Sequence, residues 1–109
     1  MLEGLQEKEQ IKMTSRTSTS HDKWVIEELK RDPAFAESYL ETALEENDPH
    51  VFMMVLRHLA EARGMSKVAE EAGIPRESLY RALSARGNPR WSTLFSILKA
   101  TGVKMHLAA

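Results

Sequence analysis

The pattern of apolar positions is helical along most of the chain. Asp32-Pro33 and Asp48-Pro49 each mark a helix start, because an Asp side chain accepts hydrogen bonds from the first backbone N–H groups and Pro tolerates the first helical position. Apolar residues then recur at helical spacing: Phe35, Tyr39, Leu40, Ala43 and Leu44 after the first start, and Phe52, Val55, Leu56, Leu59 and Ala60 after the second. We therefore expect two consecutive helices joined by a tight turn, the first ending near residue 46 and the second closed by Gly64 in the left-handed conformation.

Shorter helices are predicted on both sides of this pair. The apolar cluster that begins at Trp24 is long enough for one or two helical turns. Residues 65–72 and 76–84 are predicted to form two short helices separated by a tight turn, and residues 91–102 a last helix that ends at a glycine.

The last residues alternate between apolar and polar side chains. Val103, Met105 and Leu107 are separated by Lys104 and His106, and a period of two is typical of a β-strand. A single strand has no partner within a helical chain, so it would pair across a two-fold axis with its copy at a dimer interface. A frayed tail is the alternative.

Length and composition limit the class of protein. The chain has 109 residues, which fits one domain, and we expect a disordered polar arm over residues 1–22 followed by a domain over residues 23–109. The absence of Cys excludes disulfide-bonded folds, thiolate metal sites and cysteine nucleophiles. The chain has no apolar run near the roughly 18 residues that cross a bilayer and no secretory signal, so we expect a cytoplasmic protein.

The net charge of -1 conceals two halves of opposite charge. Residues 1–56 contain 6 Lys and Arg against 12 Asp and Glu, whereas residues 57–109 contain 9 against 4. A basic half can meet a polyanion such as DNA. The acidic half would be repelled by the same polyanion, so it is better suited to a basic protein partner or to solvent.

The two short helices have the spacing of a helix-turn-helix. Ala69 is small enough for two short helices to cross steeply, and Gly73, four residues later, supplies the positive φ at which the chain reverses. Ile74, Leu79 and Leu83 then bury the second helix. With the flanking helices, this motif predicts an all-α bundle of about five helices of the lambda-repressor-like type, with a helical extension on its N-terminal side.

The outward side chains of the second short helix can hydrogen-bond base edges or phosphates, and the core does not need them. We predict that bases are read by Arg76, Glu77, Tyr80, Arg81 and Ser84. For Glu77 we favour the role of a helix cap over that of an acceptor for cytosine N4. The predicted phosphate contacts are Ser66 and Lys67 before the turn, and Arg86, Asn88 and Arg90 in the loop after the second helix. The alternative is a bundle in which Gly73 only packs helices and these side chains form a solvated face.

The sequence contains no constellation typical of an enzyme. His21, His50, His58 and His106 are scattered, without the spacing that places two ligands on one helix face, and we expect His58 to be a partly buried or surface residue. Acidic pairs such as Glu70-Glu71 are adjacent and diverge by about 100° on a helix. We therefore expect no catalytic residues, no metal site and no cofactor.

A series of spaced motifs carries a resemblance to a known family. The motifs are Tyr39-Leu40, Ala43-Leu44-Glu45-Glu46, Asp48-Pro49, Ala62-Arg63-Gly64-Met65, Arg76-Glu77-Ser78-Leu79-Tyr80, Gly87-Asn88-Pro89, Thr93-Leu94 and Gly102. From about Asp32 to Leu107 the chain resembles the addiction-module antidote family, HigA-like antitoxins with an XRE-type helix-turn-helix.

The resemblance implies a role in a toxin–antitoxin operon. Such antitoxins neutralise a small basic toxin of the RelE/ParE-like (HigB-like) superfamily and repress their own promoter as dimers on palindromic double-stranded DNA. Carried over by position, it adds Ser78 to the residues that face the operator, and it makes the acidic half a toxin-facing surface. Two alternatives remain: a stand-alone phage-type repressor without a toxin partner, and a protein-interaction module whose helix-turn-helix no longer binds DNA.

Overall fold

The computed structural model describes residues 20–105, which form six α-helices and contain no strand. The helices are α1 (Ser20–Arg31), α2 (Pro33–Glu45), α3 (Pro49–Arg63), α4 (Met65–Ala72), α5 (Arg76–Ala82) and α6 (Trp91–Ala100). The predicted all-α class is confirmed for this part of the chain.

Asp-Pro pairs start both α2 and α3, as predicted. The Asp32 carboxylate accepts hydrogen bonds from the backbone N–H groups of Ala34 and Phe35, at 3.0 and 3.2 Å. The Asp48 carboxylate accepts one from the N–H of His50 at 2.9 Å. Each cap satisfies donors that have no partner within the helix, so these two boundaries are fixed by local chemistry.

Helix α1 is longer than the one or two turns predicted around Trp24. It has 12 residues and starts at Ser20, within the last three residues of the predicted arm, and the rest of that arm lies outside the described residues. Val25 and Leu29 are buried in the core that α1 forms with α3. Tertiary burial of this kind stabilises a helix that its own sequence only weakly favours.

Helix α3 is the centre of the fold. It contacts α1, α2, α4 and α6, and it buries Val55, Leu56, Leu59 and Ala60. Helix α6 packs mainly on α4, whereas α5 has α4 as its main neighbour. Helices α4 and α5, which carry most of the predicted DNA contacts, are therefore neighbours, and α5 is attached to the rest of the bundle mainly through α4.

The turn between α4 and α5 has the backbone that the sequence predicts. Gly73 is left-handed, with φ 73° and ψ 31°, and the N–H groups of Gly73 and Ile74 donate to the carbonyls of Glu70 and Ala69. This is the hydrogen-bond pattern of a Schellman helix end. Ala69, Leu79 and Leu83 are buried beneath the turn, and Ile74 is partly buried.

Two details of the backbone differ from the prediction. Gly64 has a positive φ of 107°, but its ψ of 117° lies outside the left-handed helical region. The reason is that Gly64 is the only residue between α3 and α4, so it must end one helix and redirect the chain into the next. Helix α5 ends at Ala82, and Ser84 lies in the turn that follows.

The C-terminal strand is not observed. Residues 103–105 are described and form no strand in the single chain, while His106 and Leu107 lie outside the described residues. This strand is predicted to pair with a second copy of the chain. The structure describes a single copy, so the dimer stays a prediction.

Candidate nucleic-acid interface

An open groove of about 700 Å³ lies between the start of α4 and the exposed face of α5. Ser66 and Lys67 line its α4 side, and Arg76 and Tyr80 line its α5 side. The structure thus brings two predicted phosphate contacts together with two predicted base readers. We call this feature the α4–α5 groove.

Arg76 and Tyr80 are ordered against each other along α5. The Arg76 Nη2 donates a hydrogen bond to the Tyr80 hydroxyl at 3.2 Å, and the guanidinium carbon lies 5.5 Å from the centre of the Tyr80 ring. Both side chains are exposed, and the hydrogen bond uses one of the five N–H donors of the guanidinium. The remaining donors can bind an acceptor in the groove.

The start of α4 adds an electropositive helix end to the groove. Its N-cap residue is Gly64, and no side chain caps the first backbone N–H groups. Uncapped N–H groups and the positive end of the helix dipole favour an anion. Lys67 lies in this first turn, so the positive end of the helix and the Lys67 ammonium group both attract an anion to this side of the groove.

The other α5 residues differ in how accessible they are. Glu77 and Arg81 are exposed, whereas Ser78 is partly buried. The N-cap of α5 is Pro75 and carries no side-chain cap hydrogen bond, so Glu77 stabilises this helix only through its position in the first turn. The Ser84 hydroxyl donates to the carbonyl of Arg81 at 2.8 Å and is thereby held in the turn after α5.

The loop after α5 does not line the α4–α5 groove. Arg86 and Arg90 are exposed on it. Asn88 and Ser84 line a second cavity of about 740 Å³, whose other wall is the first half of α3, including Phe52. The predicted phosphate contacts therefore do not share one cavity: Ser66 and Lys67 line the α4–α5 groove, Asn88 lines the second cavity, and Arg86 and Arg90 line neither.

The basic residues of the described chain differ in ion pairing. Four basic residues of α1 and α3 pair with carboxylates: Lys30 with Glu27, Arg31 with Glu28, Arg57 with Glu61, and Arg63 with Glu71. Among residues 20–105, no ion pair forms at the five basic residues predicted to contact DNA, which are Lys67, Arg76, Arg81, Arg86 and Arg90. All five are exposed, and the exposed Lys23, Lys99 and Lys104 form no ion pair with a described carboxylate either. Their charge is available to a polyanion.

Glu61 is the one carboxylate that lines the α4–α5 groove. Burial raises the pKa of Glu61, and the nearby Arg57, whose Nε lies 3.5 Å from Glu61 Oε1, opposes this rise. The pairing with Arg57 reduces the negative field of Glu61 on an anion in the groove.

A buried hydrogen-bond chain links α1, α2 and α3, and the sequence did not reveal it. The ring of His58 is 2% exposed, against the expectation of a partly buried or surface residue. Its Nε2 lies 3.1 Å from Asp22 Oδ1, and its Nδ1 lies 2.7 Å from the Tyr39 hydroxyl. The only sequence signal was an isolated His on the apolar side of a helix, with its partners 36 and 19 positions away.

The direction of both hydrogen bonds follows from the protonation states. Burial lowers the pKa of His58 more strongly than the adjacent Asp22 raises it, so the imidazole is neutral near pH 7. Burial also raises the pKa of Tyr39 to about 12, so its phenol keeps its proton. The Tyr39 O–H therefore donates to Nδ1, and Nε2–H donates to the Asp22 carboxylate.

Two other searches of the described residues gave no site. No group of three or more Asp, Glu or His side chains between residues 20 and 105 is arranged to hold a metal ion. None of the described helices has the length and apolar character needed to span a membrane.

Comparison with known proteins identifies the family. Residues 21–109 match the family described as probable addiction module antidote protein. An uncharacterized protein of Haemophilus influenzae (strain Rd) is 39% identical over 69 residues, which cover 63% of this chain and 71% of that protein. No solved structure matches the chain significantly. Because the match to the family extends over most of the sequence, the chain belongs to the family of probable addiction module antidote proteins.

Proposed function

We propose that this protein is the antitoxin of a type II toxin–antitoxin module. It neutralises a small basic toxin of the RelE/ParE-like (HigB-like) superfamily and represses its own operon as a homodimer on a palindromic operator in the cytoplasm. It has no enzymatic activity of its own. Membership of an antidote family supports the antitoxin role and implies a toxin partner.

The DNA-binding part of this proposal rests on one observation. The five exposed cations of the α4–α5 groove, of α5 and of the following loop form no ion pair with a described carboxylate, while the cations of α1 and α3 noted above do. A cation that is already neutralised releases fewer DNA counterions when it meets a phosphate. The five unneutralised cations therefore gain more from a polyanion than the four paired cations of α1 and α3 do.

The geometry of the groove suits a helix-turn-helix on DNA. With α5 in the major groove, Arg76, Tyr80 and Arg81 face base edges, and the uncapped start of α4 with Lys67 lies against the adjacent phosphates. A dimer would place its two α5 helices about 34 Å apart, one turn of DNA. The two-fold symmetry of such a dimer is the reason for proposing a palindromic operator.

The toxin surface is proposed on α2. Helix α2 has Glu37, Glu41 and Glu45 at four-residue spacing and no basic residue. Such a surface attracts a basic protein and is repelled by DNA, so the two partners are assigned to different helices.

The test is a gel-shift titration of the purified protein on its own upstream DNA at two salt concentrations, with and without the product of the adjacent gene. The expected result is a specific shift whose affinity falls steeply with salt and changes when the partner is added.

Other outcomes would replace the proposal. A specific shift with no adjacent gene for a small basic protein would indicate a stand-alone repressor. If neither salt concentration gives a shift, α4 and α5 have only a structural role and the protein binds other proteins rather than DNA.

A further inference from the structure

The outward face of α6 is aromatic. The side chain of Trp91 is 71% exposed and that of Phe95, one turn later, is 42% exposed. Their ring centres are 6.0 Å apart, and the Lys99 ammonium lies 5.5 Å from the centre of the Phe95 ring. Three side chains at four-residue spacing thus form one stripe, which we call the α6 stripe.

The stripe leaves α6 apolar on two sides. Its inner side buries Ile97, Leu98 and Ala100 in the core. A helix that is apolar on two opposite sides is normally covered on both. Within residues 20–105, the outer side of Trp91 and Phe95 remains largely open to solvent.

The pattern of the stripe is self-complementary. If two copies of α6 pair antiparallel about a two-fold axis at Phe95, the two Phe95 rings meet at the axis. Lys99 of each copy then lies opposite Trp91 of the partner subunit, which is the arrangement of a cation–π contact.

The charges within α6 itself do not oppose this pairing. Lys99 is the only charged residue of α6. In the antiparallel pair the two ammonium groups are separated by eight residues of helix rise, about 12 Å, which exceeds the Debye length of about 8 Å at physiological salt.

The exposed area of Trp91 and Phe95 is large enough to form the centre of an interface. An aromatic side chain buries roughly 150 to 250 Å² when fully covered, so the exposed parts of Trp91 and Phe95 supply about a third of the ~800 Å² per partner of a standard interface. A few aromatic side chains at the centre of an interface commonly provide most of its binding energy.

The other exposed tryptophan does not form such a stripe. Trp24 on α1 is 57% exposed, but its neighbours in the helix are charged, among them Lys23, Glu27 and Glu28. A second copy placed on that face would have to cover charges of both signs.

We propose that the α6 stripe is the surface on which two copies of this chain associate, with Trp91, Phe95 and Lys99 as its central contacts. The inference rests on the homodimer of the proposed function and does not require DNA or toxin binding. It places the two-fold axis on α6, whereas the sequence predicted an interface at the C-terminal residues.

The experiment is sedimentation equilibrium of the full chain, without DNA, over a range of protein concentrations. The wild type should dimerise. Phe95→Glu places two carboxylates across the axis and should raise the dimer dissociation constant by about tenfold or more. Lys99→Glu removes the cation opposite Trp91 and should weaken the dimer by a smaller factor. Trp24→Ala is the matched control and should leave dimerisation unchanged.

Folding and DNA binding are measured separately for each variant. Circular dichroism should show wild-type helix content in Phe95→Glu, because this side chain is already exposed. Arg76→Ala should lose operator affinity but remain a dimer, so a failure of DNA binding is distinguished from a failure of the interface. A monomeric wild type, whether the stripe is then covered by another segment of the chain or by a toxin, overturns the proposal. So does a Phe95→Glu variant that is folded and dimerises like the wild type.

Discussion

His58 holds together three helices through two hydrogen bonds, with Asp22 on α1 and with Tyr39 on α2. Of the three side chains in this hydrogen-bond chain, the imidazole is the one that both accepts and donates, so its neutral form is required. Arg57 and His21 are the nearby groups that also oppose its protonation. The attachment of α1 to the bundle is therefore sensitive to acid.

We predict that the free energy of unfolding falls as the pH drops through about 6.5, the ordinary pKa of His. The folded pKa of His58 is lowered, so below this pH the unfolded chain binds a proton that the folded chain resists. Urea unfolding at about pH 7.5 and about pH 5.5 measures the effect. His58→Gln should be less stable at the higher pH but should lose much of the difference between the two.

His50→Gln is the control, because this side chain is 90% exposed and should leave the pH dependence as it is in the wild type. An undiminished pH dependence in His58→Gln would show that another group is responsible.

Residues whose role is set by their immediate neighbours were predictable, and residues whose role is set across the fold were not. Asp32, Asp48 and Gly73 behave as their local sequence indicates, since capping and positive φ involve only a few adjacent positions. His58 depends on partners in two other helices. No spacing rule identifies such partners before the helices are packed.

Helix α5 is fixed to the bundle by buried Leu79, and by buried Leu83 directly after its last residue, while its polar side chains face outward. Its second turn carries Arg81, which is exposed and forms no side-chain hydrogen bond or ion pair with the described residues. This guanidinium is therefore free to bind DNA with both of its edges.

We predict that Arg81→Ala weakens operator binding by about 1 to 3 kcal/mol if Arg81 binds a guanine, with the loss confined to sequences that contain that base. If Arg81 binds a phosphate, all sequences weaken alike and the slope of log K against log salt falls by about one. Fluorescence anisotropy with operator and scrambled DNA at several salt concentrations separates these cases.

Lys30→Ala is the matched control for Arg81→Ala. It removes one positive charge from α1, where Lys30 is paired with Glu27, and should leave the affinity for DNA nearly unchanged. If both variants bind the operator as tightly as the wild type, Arg81 does not contact DNA.

At the scale of elements, the sequence predicted which segments are helical but not which surfaces they share. The turn at Gly73 and the burial of Leu79 follow from spacing and were expected. The position of Asn88 outside the α4–α5 groove was not expected. Asn88 lines the cavity whose other wall is α3, and this cavity exists only once α3 is packed against the loop. The length of α1 was missed for the same reason.

The opposite charges of the two halves are retained on the surface of the folded molecule. Helix α2 carries only acidic charges, and the α4–α5 groove with α5 and the following loop carries five cations that form no ion pair with a described carboxylate. The acidic stripe of α2 costs helix stability, because like charges four residues apart repel by about 0.2 to 0.5 kcal/mol per pair. A surface that lowers stability in this way is expected to bind something basic.

We predict that Glu45→Lys weakens the complex with the basic product of the adjacent gene and leaves operator binding unchanged or slightly tighter. Glu70→Lys makes the same change of charge on α4, in the basic half, and should affect the protein complex much less. Isothermal titration calorimetry at two salt concentrations compares the two variants. Equal losses in both would mean that only the net charge of the molecule matters.

The limited support of α5 has a consequence for how the molecule moves. Its main neighbour is α4, and Leu79 is its one buried side chain, so its local opening requires less free energy than that of α3 at the centre of the bundle. We therefore expect the amide hydrogens of α5 to exchange with solvent sooner than those of α3 in the free protein. A ligand that immobilises α5 must then offset the conformational entropy that α5 loses. A substitution that destabilises α4 therefore lowers the affinity for the ligand even when it changes no residue that contacts the ligand.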